Sequence, residues 1–88
     1  MSGELTPDAT GTYQRIADVN GYTAARRIDD AYTIYWSQAE ERYILIPGTL
    51  TPNPPLGNYW ATTYQNHNIE ALYYNQGETE GNATFTWT

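Results

Sequence analysis

The chain predicts an all-β fold, a small antiparallel barrel or sandwich of about seven short strands with an extended N-terminal arm. Three observations carry this reading. Short runs rich in Tyr, Trp, Ile and Thr recur at spacings of roughly ten residues. Between them stand clusters of Gly, Pro, Asn and Asp, the residues that reverse a chain. Residues 83–87 alternate cleanly, with Ala83, Phe85 and Trp87 on one face and Thr84 and Thr86 on the other. Eighty-eight residues make one domain, read as an arm over 1–10 and a body over 11–88.

The centre of the pattern is residues 31–46. Two runs rich in β-branched and aromatic residues, 31–36 and 42–46, flank five small or polar ones, the signature of a hairpin. Tyr32, Ile34 and Trp36 share one face of the first strand, and Thr33 and Tyr35 the other. Tyr43 and Leu45 face oppositely to Ile44 and Ile46. Both faces of that strand are apolar, which places it near the middle of the sheet.

The other elements follow in order. Residues 1–10 hold Gly, Pro, Asp and Thr without periodicity and read as the arm. Ordering such a segment costs ~1–2 kcal/mol per residue, so a neighbouring subunit is expected to hold it, and its removal to leave the body folded. Residues 11–16 form a first strand, and Asn20-Gly21 a tight turn, since both tolerate positive φ. A strand over 22–28 follows, although Ala24 and Ala25 also suit a helix. Asp29-Asp30 turns the chain into the hairpin. Residues 47–57 carry Pro47, Pro52, Pro54 and Pro55 and read as a stiff surface loop. Strands are expected over 58–63, 69–74 and 83–87, with polar loops over 64–68 and 75–82.

Composition excludes several classes. There is no cysteine, so neither disulfides nor thiolate zinc sites are expected. Ten acids against four arginines, with no lysine, give a net charge of −6, a poor footprint for binding phosphate backbones. No apolar run is long enough to span a bilayer, and the start has no basic segment or apolar core, so neither membrane insertion nor a signal peptide is expected. The aromatic mass is large: nine Tyr, three Trp and one Phe. Ile34, Trp36, Trp60, Leu45 and Phe85 are expected in the core, and several tyrosines outside it.

Candidate chemistry is sparse. His67, the single histidine, lies in Asn-His-Asn and reads as a solvated loop residue whose loss does no harm. Ser2 and Ser37 lack the surroundings of a hydrolytic nucleophile. The acid pairs Asp29-Asp30, Glu40-Glu41 and Glu78/Glu80 sit in turns, where carboxylates point to water rather than across a cleft. No catalytic residue, cofactor or metal site is expected, and the chain is read as not an enzyme. The aromatic surplus is the one signal of recognition. The candidate patch is Tyr59, Tyr64, Asn66, His67 and Asn68; the candidate interface is Leu5, Pro7, Pro52, Pro54 and Pro55.

A set of short motifs runs through the chain: Gly11-Thr12-Tyr13, Asn20-Gly21, Tyr32-Thr33-Ile34-Tyr35-Trp36, Arg42-Tyr43-Ile44-Leu45, Tyr59-Trp60, and a closing stretch over 77–86. In that order the chain resembles a small aromatic-rich β module of tailed-bacteriophage structural proteins, of tail-fibre or virion-surface type. It departs from the family at Tyr43, where the family has Trp, and at Phe85 and Trp87, where it has smaller residues. The resemblance implies a virion location, other virion proteins or further copies of the chain as partners, and no catalytic residues. A single copy beginning at a methionine suggests a separate small protein. The expected role is therefore a capsid decoration (cement) or surface protein, with a receptor- or glycan-binding module of a tail or fibre as the alternative.

Overall fold

The computed structural model describes residues 1–48, 58–77 and 79–87. Among the described residues eight strands occur: β1 Ser2–Gly3, β2 Tyr13–Val19, β3 Tyr22–Arg27, β4 Tyr32–Ser37, β5 Arg42–Pro47, β6 Asn58–Ala61, β7 Leu72–Gly77 and β8 Ala83–Thr84. All belong to one antiparallel sheet in the order β1-β8-β7-β6-β5-β4-β3-β2. After β1 the chain crosses to the far edge, then returns strand by strand until β8 lies beside β1.

The sheet is curled rather than flat. Tyr13 on β2 and Phe85, just after β8, belong to opposite ends of the strand order, yet their ring centroids are 5.7 Å apart. Strand twist rolls the sheet into a partial barrel whose concave side is the main core. That side holds Ile34, Trp36, Tyr43, Leu45, Trp60, Tyr73 and Phe85. The convex side carries a second cluster of Ala24, Tyr35, Ile44, Ile46, Tyr59 and Ala61. The central position expected for 42–46 is observed: β5 pairs with β4 and β6, and both of its faces are buried.

The turns form for the reasons the sequence indicates. Asn20 and Gly21 both have positive φ, 56° and 83°, and close the β2–β3 hairpin. The Oδ1 of Asp29 accepts the Ala31 amide at 3.1 Å, and Asp30 takes φ 63°. In the β4–β5 loop the Ser37 hydroxyl oxygen accepts the Glu40 amide at 3.1 Å.

Three buried tyrosines tie distant backbone together, two of them holding loops to the sheet and the third joining two strands. Tyr13 donates its hydroxyl to the Ala9 carbonyl at 2.6 Å, Tyr73 to that of Ile69 at 2.9 Å, and Tyr43 to that of Thr23 at 2.8 Å. Each ring fills the core while its hydroxyl satisfies a backbone acceptor, which is how a phenol is buried without penalty. Tyr35 and Tyr59 are buried too, whereas Tyr64 and Tyr74 are exposed, so part of the tyrosine set does lie outside.

Several expectations are corrected. The first ten residues are extended but are part of the body. β1 pairs with β8, Thr6 and Glu80 exchange two backbone hydrogen bonds, and Leu5 and Ala9 are buried in the main core. Leu5 is thus a core residue of its own chain, not an interface residue. Arg27 clamps the same segment through the carbonyls of Asp8 and Thr10, at 2.8 and 3.0 Å, while its guanidinium pairs with Asp29. Pro7 is exposed, after a cis peptide bond. Pro52, Pro54 and Pro55 lie outside the described residues. The strand expected over 69–74 begins only at Leu72, because two successive turns closed by the Asn66 and Asn68 side chains draw residues 66–70 away from the ladder. The last strand covers only Ala83–Thr84, although Phe85 still donates its amide to Ala71 and its alternation holds.

Candidate functional site

Beyond β6 the chain stays tied to the β4–β5 hairpin before it leaves the sheet. Thr62 donates its amide to the Tyr43 carbonyl at 3.0 Å, and its hydroxyl oxygen accepts the Tyr43 amide at 3.2 Å. Gln65 donates its amide to the Glu41 carbonyl at 2.7 Å. Glu41 and Gln65 both hold left-handed φ, 55° and 59°. Ordinary side chains visit that region at some cost, so these two joined turns over-determine each other.

The loop then lays His67 over two rings from the sheet. Its imidazole is stacked on Tyr22 with centroids 5.2 Å apart and planes 10° from parallel. Trp36 lies 4.5 Å away, and Tyr22 and Trp36 are themselves 4.8 Å apart. The three rings come from the start of β3, the end of β4 and the 62–70 loop. The sequence offered no periodic signal joining 22, 36 and 67, because their meeting depends on the sheet's curl and on the asparagine turns.

Tyr22 and His67 form a ridge between two clefts, with Trp36 packed beneath them and lining the second. One, of about 350 Å³, is lined by Tyr22, His67, Trp87, Asp18, Glu70 and Arg15, among others. Arg15 there reaches Asp18 at 3.9 Å and the Thr23 hydroxyl at 3.3 Å. Glu70 accepts the Trp87 amide at 3.2 Å. The second, of about 400 Å³, is lined by Tyr22, Trp36, His67, Gln38, Glu41 and Gln65. Both are concave, with aromatic residues sharing their walls with amides and carboxylates.

The expected patch is divided. His67 and Asn68 line the first cleft. Asn66 supports them: its side chain donates to the Asn68 carbonyl and accepts the Asn68 amide, each at 3.1 Å. Tyr64 is exposed and lies over the Arg42 guanidinium, 4.5 Å from ring centroid to carbon. Tyr59 is corrected outright. It is buried in the convex cluster and donates its hydroxyl to Glu40 at 3.0 Å, where Arg42 also pairs at 2.9 Å. Alternation explains this: Trp60 faces the main core, so Tyr59 faces the other side. Arg42, first among the causes, holds the Glu40 carboxyl below its ordinary range. The sequence reading missed Tyr22 and Trp87 as cleft residues.

Of the acid pairs, Asp29 is engaged by Arg27 and Glu40 by Arg42, while Glu78 lies outside the described residues. Among the described residues no three His, Asp or Glu side chains converge as metal ligands would. No described helix is long and apolar enough to cross a membrane. No protein-family model, characterised protein or solved structure matches the chain.

Proposed function

We propose that the chain is a non-enzymatic recognition module that binds a saccharide at the ridge of Tyr22, Trp36 and His67, acting at a bacteriophage virion surface. One observation carries the reading: three mutually packed rings, Tyr22, Trp36 and His67, line one cleft with Gln38, Glu41 and Gln65, and two of them, Tyr22 and His67, also line a second cleft beside Asn68, Asp18 and Glu70. Such a surface suits the two sides of a sugar. Ring faces take its C–H face, and Asn, Gln, Asp and Glu take its hydroxyls as donors and acceptors. Small-ligand sites combine apolar walls with a few placed polar groups in the same way. The virion setting rests on the resemblance of the chain's motifs to phage structural modules.

An N-terminal segment ordered by a neighbouring subunit is one of the supports for a capsid decoration role, beside the resemblance and the aromatic surplus. Contacts within the chain account for that ordering, which moves the saccharide reading ahead. Decoration stays as the second reading because Leu72 and Tyr74, two residues apart on β7, expose apolar side chains on one face. Such a pair suits a flat contact with another subunit.

The test is a titration of isotope-labelled protein with neutral and charged oligosaccharides, following amide shifts and tryptophan fluorescence. Shifts should centre on residues 22, 36 and 65–68. His67→Ala should weaken binding severalfold, the size of one aromatic contact, without loss of the fold. Binding unchanged by His67→Ala, or shifts centred on β7, would refute this site.

A further inference from the structure

We infer that the cleft lined by Tyr22, Trp36, His67, Gln38, Glu41 and Gln65 selects an amino sugar by its free ammonium group. The inference rests on the saccharide reading and adds the ligand's charge to it. Ring faces carry negative electrostatic potential, and a cation close to them is attracted. Here three rings line the same cleft as one carboxylate.

That carboxylate is unspent. Glu40, its sequence neighbour, is engaged by Arg42 and Tyr59. The Glu41 side chain has no hydrogen-bond or ion-pair partner among the described residues, and neither do the side-chain amides of Gln38 and Gln65. The Glu41 backbone is also held in place, because its carbonyl accepts the Gln65 amide while both residues keep left-handed φ. Among the described residues no arginine lines this cleft. The adjacent Arg42 directs its guanidinium to Glu40 and beneath the Tyr64 ring. The chain has no lysine to compete, and its net charge of −6 draws cations toward the surface. An ammonium would meet ring faces and Glu41, with the two glutamine amides left for neighbouring hydroxyls. An acidic sugar would meet only repulsion there.

The probes are a β-1,4-linked glucosamine tetramer, its fully N-acetylated counterpart and a glucose tetramer, titrated calorimetrically at neutral pH. In low salt the free-amine tetramer should bind about five- to tenfold tighter than the N-acetylated one, the scale of a cation–π contact reinforced by one carboxylate. The ratio should fall toward one in high salt and in Glu41→Gln. It should survive in Asp30→Asn, which removes the same charge from a distant turn and keeps a residue tolerant of positive φ. Melting curves establish that each variant is folded. If acetylated and free-amine tetramers bind the parent equally, the charge inference falls and the saccharide reading stands. A preference that survives Glu41→Gln overturns the assignment to this cleft. If no tetramer binds, both readings fall.

Discussion

Replacing Trp36 by alanine tests the concave core and the ridge together. The indole is 6% exposed, packs edge-on against Tyr43 with centroids 5.7 Å apart, and touches Tyr22 and His67. A large ring buries ~150–250 Å². At ~25 cal/mol per Å² that is ~4–6 kcal/mol of transfer free energy as an upper bound. Measured Trp→Ala and Phe→Ala changes in cores run at ~3–5 kcal/mol, and that is the expected cost. Domains are typically stable by ~0.05–0.15 kcal/mol per residue, or ~4–13 kcal/mol for a chain of this length. At roughly 4–8 °C per kcal/mol, the melting temperature should drop by ~12–40 °C. Thermal denaturation followed by circular dichroism reads this directly. A drop of less than about 4 °C would mean that Trp36 is not a core residue and that the sheet faces the other way.

Three further outcomes follow from specific contacts. Leu5→Ala should cost ~2–5 kcal/mol, as for a core leucine, and deleting residues 2–10 should destabilise the body further by taking the Ala9 carbonyl from Tyr13; a deletion that melts like the parent would restore the picture of a free arm. Gly81→Ala should be destabilising by more than ~2 kcal/mol in chemical denaturation, because φ is 86° and an added Cβ would overlap the Glu4 carbonyl, whereas Gly21, with open space around its Cα, should tolerate alanine far better. Burial pushes Tyr43 up to about 12 and raises Tyr13 and Tyr73 as well. Because the folded-state values lie above the unfolded value of about 10, the fold favours the neutral phenols. Their contribution is complete below pH ~10 and is lost as pH rises through the folded-state values. Alkaline melts should therefore steepen above pH ~10, and less so in Tyr43→Phe; identical pH profiles for the two proteins would refute the assignment.

Local rules determined the ladder of strands. The two apolar faces of 42–46 could only be satisfied in the middle of a sheet, because each face needs its own cover. Asn20-Gly21 and Asp29-Asp30 carry their turn conformations in their own chemistry, so the hairpins around them were legible. Alternation placed Ile34, Trp36, Leu45 and Phe85 in one core without any knowledge of what they meet.

Other features depended on where distant segments meet. A two-residue strand at 2–3 has no periodicity to read, and it exists because β8 presents an edge to it. Leu5 and Ala9 are apolar residues in a polar stretch, and only the opening of the curled sheet gives them a core to enter. Tyr59 looked like a surface aromatic because an adjacent Tyr-Trp pair does not say which ring faces which side. The ridge is the clearest case. Tyr22, Trp36 and His67 are far apart in sequence, and each had an ordinary local reading. Sequence determined the strands and turns because those are set by neighbours within a few residues. The curl of the sheet decided the clefts, because a cavity is a property of surfaces brought together.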